Sequence, residues 1–261
     1  MLTPATPEEL AAALAVAASR KQKIRLGGNF SKDHVYPGKA ADVTVSTRAL
    51  NRVLMFEPKD LTISVEAGLP YRELTRLLNE HQMMIPLDPP YANEATIGGV
   101  VAANSSGPRR RFYGTARDLV IGMSFATTEG RLIQSGGMVV KNVAGLDMGK
   151  LLIGSWGTLG AIVSLNFKLI PRPQETRTFL LKFSSLADAI KRRNNILTSV
   201  LQPLSLDFLN PAAAQRIGQE NSWVLLIETA GNAAVLNRYQ KEFSDGNIVE
   251  CAIWEKIREF T

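Results

Sequence analysis

Residues Ala95–Asp118 read A-T-I-G-G-V-V-A-A-N-S-S-G-P-R-R-R-F-Y-G-T-A-R-D. Side-chain bulk is small at Gly98, Gly99, Ala102, Ala103, Ser105, Ser106 and Gly107. Backbone without Cβ atoms can approach a flat or phosphorylated ligand closely. Thr96, Asn104, Tyr113 and Asp118 add directional polar groups. The pattern predicts a short helix over Ile97–Ala103 that begins at Thr96. Its unpaired N–H groups and positive dipole end would face whatever sits at Thr96–Gly99. Two readings fit the spacing: a cofactor cradle, or a tight helix crossing followed by a basic turn. The flanking segments decide between them.

Upstream, Thr6-Pro7-Glu8-Glu9 is a helix start. Thr6 caps, Pro7 suits the first helical position, and Glu9 completes a capping box. Leu10, Leu14 and Ala17 continue at helical spacing to Arg20. Lys23–Leu26 reads as a strand that runs into Gly27-Gly28-Asn29-Phe30-Ser31. Such a turn of exposed N–H groups binds anions, phosphates especially. It is neither the G-x-G-x-x-G dinucleotide fingerprint nor a Walker loop, since no G-K-[ST] follows. Short β-type runs come next at Val43–Ser46, Arg52–Glu57 and Leu61–Glu66, with Pro58-Lys59-Asp60 as the turn between the last two. Tyr71–His81 is an amphipathic helix with Leu74, Leu77 and Leu78 on one face. Pro86, Pro89 and Pro90 break it, and Asp88 among them reads as a turn residue rather than a base.

Downstream, Leu119–Thr127 and Arg131–Ser135 form a hairpin about Glu129-Gly130. Gly145–Ile153 reads as a helix, Gly154–Gly160 as a glycine-punctuated turn, and Ala161–Ile170 as a strand. Trp156 in that turn reads as packing, or as a ring that stacks on a ligand. Pro171-Arg172-Pro173 marks a domain boundary, giving domains of 1–173 and 174–261. Beyond it strands at Thr178–Phe183, Ser205–Leu209, Trp223–Glu228 and Ile248–Ala252 alternate with helices at Ser185–Leu201, Ala212–Ile217 and Ala233–Phe243. This predicts a mostly antiparallel sheet with helices on one face, and an α+β chain overall. Trp223 and Trp254 read as core of this part.

The 261 residues are 45% hydrophobic and 21% charged, as in a soluble globular protein with a substantial core. A net charge of +6 is modest, and no nucleic-acid partner is expected. The basic runs Arg109–Arg111 and Lys191–Arg193 read as solvated faces; Tyr113 and Arg109–Arg111 are also candidates for the mouth of a ligand groove. Cys251 is the one cysteine, so an internal disulfide is impossible and no iron–sulfur cluster can be held. Beside Ala252 and Ile253 it reads as a buried packing residue. His34 and His81 are the only histidines, and no metal site is expected. Met1-Leu-Thr-Pro carries neither a basic nor an apolar run, so no signal peptide is expected. No run is long enough for a transmembrane helix, and a cytoplasmic location is expected.

Four blocks stand in order: R-L-G-G-N-F-S (Arg25–Ser31), A-T-I-G-G-V-V-A-A-N-S-S-G (Ala95–Gly107), Y-G-T-A-R-D (Tyr113–Asp118) and K-N-V-A-G-L-D…G-S-W-G-T-L-G-A-I (Lys141–Ile162). With them, residues 5–173 resemble the FAD-binding domain of the PCMH-type, or vanillyl-alcohol-oxidase-type, flavoproteins. The K-N-V-A-G-L-D run resembles the flavin subunits of bacterial glycolate oxidase complexes. The resemblance implies a two-subdomain PCMH-type FAD-binding domain followed by a small cap-like domain of antiparallel sheet and helices. It implies FAD bound non-covalently: Asn29 stands where a linking His can occur, and His34 is in a different register. Leu26, Gly27, Gly28, Asn29, Phe30 and Ser31 would form the pyrophosphate loop, with Phe30 where Thr is usual. Thr96, Ile97, Gly98 and Gly99 would approach the flavin and pyrophosphate, and Asn104, Ser105 and Gly107 would line the same groove. Tyr113, Gly114 and Asp118 would hold the far end of that loop, with Arg117 orienting it. Gly160 and Ile162 would contact the adenosine half.

In proteins of this kind the flavin takes a hydride from an alcohol or 2-hydroxy acid and passes electrons onward. Lactate- and glycolate-type relatives carry a C-terminal metal site rich in His and acidic residues. Here no histidine follows His81, and Asp245-Gly246-Asn247 reads as a turn. The resemblance therefore implies an electron-relay subunit whose partners are a paralogous flavin subunit and an iron–sulfur subunit. Through them it could sit peripherally at the inner face of a membrane. A self-sufficient small FAD oxidoreductase and an FAD-fold scaffold are the alternatives.

Overall fold

The computed structural model describes residues 1–35, 40–138 and 147–260. Backbone contacts divide the chain into two compact units, Met1–Ser106 with Thr115–Arg172, and Gly107–Gly114 with Pro173–Thr261.

The first unit opens with α1 (Pro7–Ser19), then β1 (Ile24–Gly27) and β2 (Val43–Ser46). Thr6 caps α1 by accepting the Glu9 N–H at 3.1 Å. The Glu9 carboxylate reaches past the cap to the Ala5 N–H at 2.8 Å, so the expected reciprocal box closes one residue early. Leu10 and Leu14 pack on Val45, Leu50 and Val163, each leucine contributing about 1.5–3 kcal/mol through burial. β1 and β2 pair in parallel, Gly27 beside Ser46.

Next come β3 (Val53–Glu57), β4 (Thr62–Glu66), α2 (Tyr71–Glu80), β5 (Met83–Met84) and α3 (Ile97–Ala102). A helical turn, α4 (Arg110–Tyr113), belongs to the second unit. The first resumes with α5 (Ala116–Leu119), β6 (Val120–Ala126), β7 (Leu132–Gly136), α6 (Gly149–Leu152), β8 (Ala161–Lys168) and β9 (Ile170–Pro171). Five strands form one antiparallel sheet in the order β3-β4-β8-β6-β7. Its main core joins Ile63, Val65, Leu165 and Phe167 of the sheet to Leu74 and Leu78 of α2 and to Ile97, Val100 and Val101 of α3. Both expected hairpins are present. Of the helix expected over Gly145–Ile153 only Gly149–Leu152 is helical, and Gly145 and Leu146 lie outside the described residues, as does most of the K-N-V-A-G-L-D run.

The second unit adds β10 (Glu175–Phe183), α7 (Leu186–Thr198), β11 (Ser205–Leu209), α8 (Pro211–Arg216), β12 (Trp223–Gly231), α9 (Ala233–Glu242), β13 (Asn247–Val249) and α10 (Ile253–Arg258). The sheet is antiparallel in the order β11-β12-β10-β13. Helices cover both of its faces, not the single face expected. Phe179, Leu181, Leu225 and Ile227 pack with Ile196 of α7 and Tyr239 of α9. Leu180, Val224 and Leu226 pack with Ala214 of α8 and Trp254 of α10. Unbroken apolar runs such as Val224–Ile227 need cover on both sides, whereas a one-faced sheet alternates.

Two side-chain expectations fail here. Cys251 is exposed, in a turn after β13, with its sulfur 3.6 Å from the Thr176 and Thr178 hydroxyls. Its apolar neighbours in sequence carry no burial signal in a turn, because no regular face aligns them. Arg192 is no solvated charge: it donates to the Glu242 carbonyl at 2.7 Å and to Asp245 at 2.9 Å, tying α7 to the end of α9. Asp88 has left-handed backbone (φ 51°), as a turn residue can, and is 8% exposed. Asp245-Gly246 is a turn, Gly246 donating its N–H to the Phe243 carbonyl at 3.0 Å, and Asn247 opens β13.

Candidate functional site

A groove of about 410 Å³ runs through the first unit. Most of its lining comes from three segments far apart in sequence, Lys23–Asp33, the two ends of α3, and residues between Trp156 and Ile162, with Ala40, Ala41, Thr47 and Ala67 completing it. The volume lies in the ordinary range for small-molecule sites.

The first segment is positioned by the β1–β2 pair. The Ser46 hydroxyl donates to the Gly28 carbonyl at 2.7 Å, and the Thr47 N–H to the Gly27 carbonyl at 2.9 Å. The loop lies directly on the start of α3. A Cβ at Gly28 would stand 2.0 Å from Thr96 Oγ1, so only glycine permits the approach. The Asn29 amide donates to the Glu94 carbonyl at 3.0 Å and fastens the two segments together. Thr96 caps α3, accepting the Gly99 N–H at 3.3 Å. Gly98 brings the helix against the strand end at Ala67, donating to its carbonyl at 2.7 Å. At the other end of α3 the Trp156 N–H donates to the Ala102 carbonyl at 2.9 Å.

The site is rich in donors. The N–H groups from Gly28 to Ser31 have no acceptor among the described residues. Lys23, Arg25 and Lys32 line the groove, against a single carboxylate in the lining among the described residues, Asp33. Arg25 is ion-paired to Asp33, and its guanidinium lies 4.7 Å over the Phe30 ring. Ile24, Leu26, Ala102, Ala103 and Ile162 supply an apolar wall. Just past α3, Asn104 is left-handed (φ 47°) and its buried Oδ1 accepts no hydrogen bond among the described residues.

The structure gathers Leu26, Gly27, Gly28, Asn29, Phe30, Ser31, Thr96, Gly98, Gly99, Gly160 and Ile162 into this groove. Ile97 faces the core instead, at 0% exposure. Asn104, Ser105, Arg117 and Asp118 belong to the first unit but not to the lining. The Asp118 carboxylate is taken up capping α5, where it accepts the Thr115 N–H at 2.8 Å; that bond first, and the Thr115 hydroxyl after it, hold it below the ordinary aspartate value. Arg117 lies near the Lys150 carbonyl. Gly107, Tyr113 and Gly114 are in the second unit. There Arg109 forms a bidentate pair with buried Glu228, at 2.7 and 3.0 Å. Burial pushes the Tyr113 phenol above its ordinary value, with Arg109 pulling it back.

Sequence reasoning missed Lys23, Arg25, Lys32 and Asp33 as lining residues, and left Trp156 open. Trp156 lines the groove at 45% exposure with left-handed backbone (φ 54°). A tryptophan between Ser155 and Gly157 in a glycine-punctuated turn was the available signal, since such a turn offers no packed face. His34 stacks edge-on against Tyr91, ring centroids 4.5 Å apart.

Residues 1–136 match the family described as FAD binding domain. The chain belongs to that family. It is 32% identical to glycolate oxidase subunit GlcE of Escherichia coli K12 over 93% of its own length and 65% of that protein's. It is 28% identical to the mitochondrial D-lactate dehydrogenase [cytochrome] 1 of Saccharomyces cerevisiae over 85% of its length, and 38% of that protein's. The chain thus spans less than two thirds of the curated relatives it matches. Among solved structures, alkyldihydroxyacetonephosphate synthase superposes with a TM-score of 0.80 at 21% identity, covering 98% of this chain and 54% of that one. The expected α+β, PCMH-type fold is the observed one. The chain carries this FAD-binding domain and is similar in sequence to glycolate oxidase subunits and D-lactate dehydrogenases.

The groove's chemistry fits FAD. Unspent N–H donors at Gly28–Ser31 suit a diphosphate, and the apolar wall beside Trp156 suits a planar ring.

Proposed function

We propose that this chain is the flavin-carrying, electron-relaying subunit of a 2-hydroxy-acid dehydrogenase of the glycolate oxidase type. Its partners on this reading are a paralogous flavin subunit and an iron–sulfur subunit. The observation that carries it is the similarity to a named glycolate oxidase subunit along 93% of the chain. Residues 1–173 form the FAD-binding domain on this reading. Among the described residues no helix is long and apolar enough to cross a membrane.

FAD supplies the two-electron chemistry when bound. The chain's own residues bind and orient it. The Gly27–Ser31 loop donates N–H groups to the diphosphate. Thr96, Gly98 and Gly99 let backbone approach closely, and Gly160 and Ile162 flank the adenosine half. Asn29 bonds the Glu94 carbonyl, and on this reading the flavin is held non-covalently.

The purified chain is expected to be yellow and to release FAD on heating. Flavin that stays with the denatured protein overturns non-covalent binding. Glycolate added to the isolated chain should leave the flavin oxidised, and should reduce it once both partner subunits are present. Bleaching by the isolated chain would refute the relay assignment and favour a self-sufficient oxidoreductase.

A further inference from the structure

Arg25 is the one arginine of the groove lining among the described residues, and three features define its place. It sits on β1, two residues before the Gly27–Ser31 turn. Its guanidinium lies 4.7 Å from the centroid of the Phe30 ring, and Phe30 is in the left-handed region at φ 55°. That conformation folds the ring back over Gly27, where a Cβ would stand 2.5 Å from it. The aromatic face therefore fixes the plane of the guanidinium. The third feature is Asp33, which pairs with Arg25 across a half-exposed gap, the two side chains being 35% and 45% exposed. Asp33 follows the N–H groups of Gly28–Ser31 by two residues.

We propose that Arg25 is an exchangeable counter-ion of this groove. Asp33 holds it in the structure, and a phosphate group bound at Gly28–Ser31 takes it from Asp33 while Phe30 keeps the guanidinium plane in place. Arginine favours this because its planar fork meets carboxylate and phosphate oxygens with the same geometry. A half-exposed carboxylate pair is a weak hold. A phosphate carrying extra N–H partners outcompetes it. The inference rests on the FAD reading above and names a contact that reading lacks. It also gives Phe30 a use, as an aromatic shelf for a cation.

The test is FAD binding to flavin-stripped full-length chain, followed by quenching of flavin fluorescence. Asp33→Asn removes the competitor and leaves Arg25 free to turn, so FAD should bind about fivefold more tightly. Arg25→Gln should weaken FAD about tenfold or more. In the Arg25→Gln background, Asp33→Asn should then change nothing. Unchanged or weaker binding by Asp33→Asn overturns the exchange and makes the pair a structural brace. Tightening that persists in the Arg25→Gln background overturns it too, since Asp33 would then act on the ligand directly. If Arg25→Gln fails to fold, the Asp33→Asn result alone decides. A wild-type chain that binds no FAD sinks the cofactor reading instead, a separate outcome.

Discussion

At Gly28 one hydrogen atom decides whether two loops can touch. A methyl there would stand 2.0 Å from Thr96 Oγ1 and 2.8 Å from Thr96 Cγ2, so the turn and the start of α3 must separate. Gly99, three residues along from Thr96, is different: its Cβ would meet only Thr96 Oγ1, at 3.2 Å. Gly28→Ala should therefore cost about 1–3 kcal/mol by overpacking and lose flavin as well. Gly99→Ala should leave stability within about 1 kcal/mol of wild type, helix propensity offsetting the contact, and weaken flavin alone. Urea unfolding read beside the bound-flavin spectrum separates the two. Equal behaviour of the variants would refute the assigned packing. These glycines were legible because close approach leaves a compositional mark. The charges were not. Arg25 and Asp33 are eight residues apart with no helical register, and only the turn between them brings them together.

Among the elements, those with their own punctuation were legible. α1 has Thr6 and Pro7, α2 has its leucine stripe, and both hairpins have turn residues at the right place. Elements defined by neighbours were not. The sheet of the second unit could be read as antiparallel, but which helices cover which face depends on contacts between α8, α10 and the strands. The Y-G-T-A-R-D block is a further case: it holds the capping box of α5, with Thr115 and Asp118 answering each other. Here a pH prediction follows. The Thr115 N–H lowers the Asp118 pKa from its ordinary 3.8, so the ionised form is favoured by folding. Its contribution is complete above that ordinary value and is lost as pH falls through the lowered one. Asp118→Ala should melt earlier than wild type at neutral pH, by about 1 kcal/mol or less given its exposure. The gap should close in acid. A gap of constant size from neutral to acid pH would show that the carboxylate charge contributes nothing.

On the scale of the whole molecule, the chain leaves the first unit at Ser106, contributes Gly107–Gly114 to the second, and returns at Thr115. Local composition leads one to expect a boundary at Pro171–Pro173, and the contact-based division falls between Arg172 and Pro173; nothing local announces the excursion, because Arg109 and Glu228 are 119 residues apart. A trace of it was present. Glu228 ends the apolar run V-L-L-I-E, and a carboxylate in such a strand demands a partner. In the structure Glu228 is 2% exposed and receives both Arg109 nitrogens and the Ser205 hydroxyl at 2.9 Å. Removing one member of a buried pair costs about 3–5 kcal/mol, because the other stays buried without compensation. Arg109→Ala should therefore destabilise the second unit by that amount. Residues 173–261 expressed alone should suffer the same loss, since they keep Glu228 and lack Arg109. Glu228→Leu in that fragment should recover most of it by removing the stranded charge. Denaturant midpoints of the fragment, with and without Glu228→Leu, decide the matter. A fragment already as stable as its Glu228→Leu variant would mean that the Arg109–Glu228 pair does not hold the 107–114 segment in the second unit's fold.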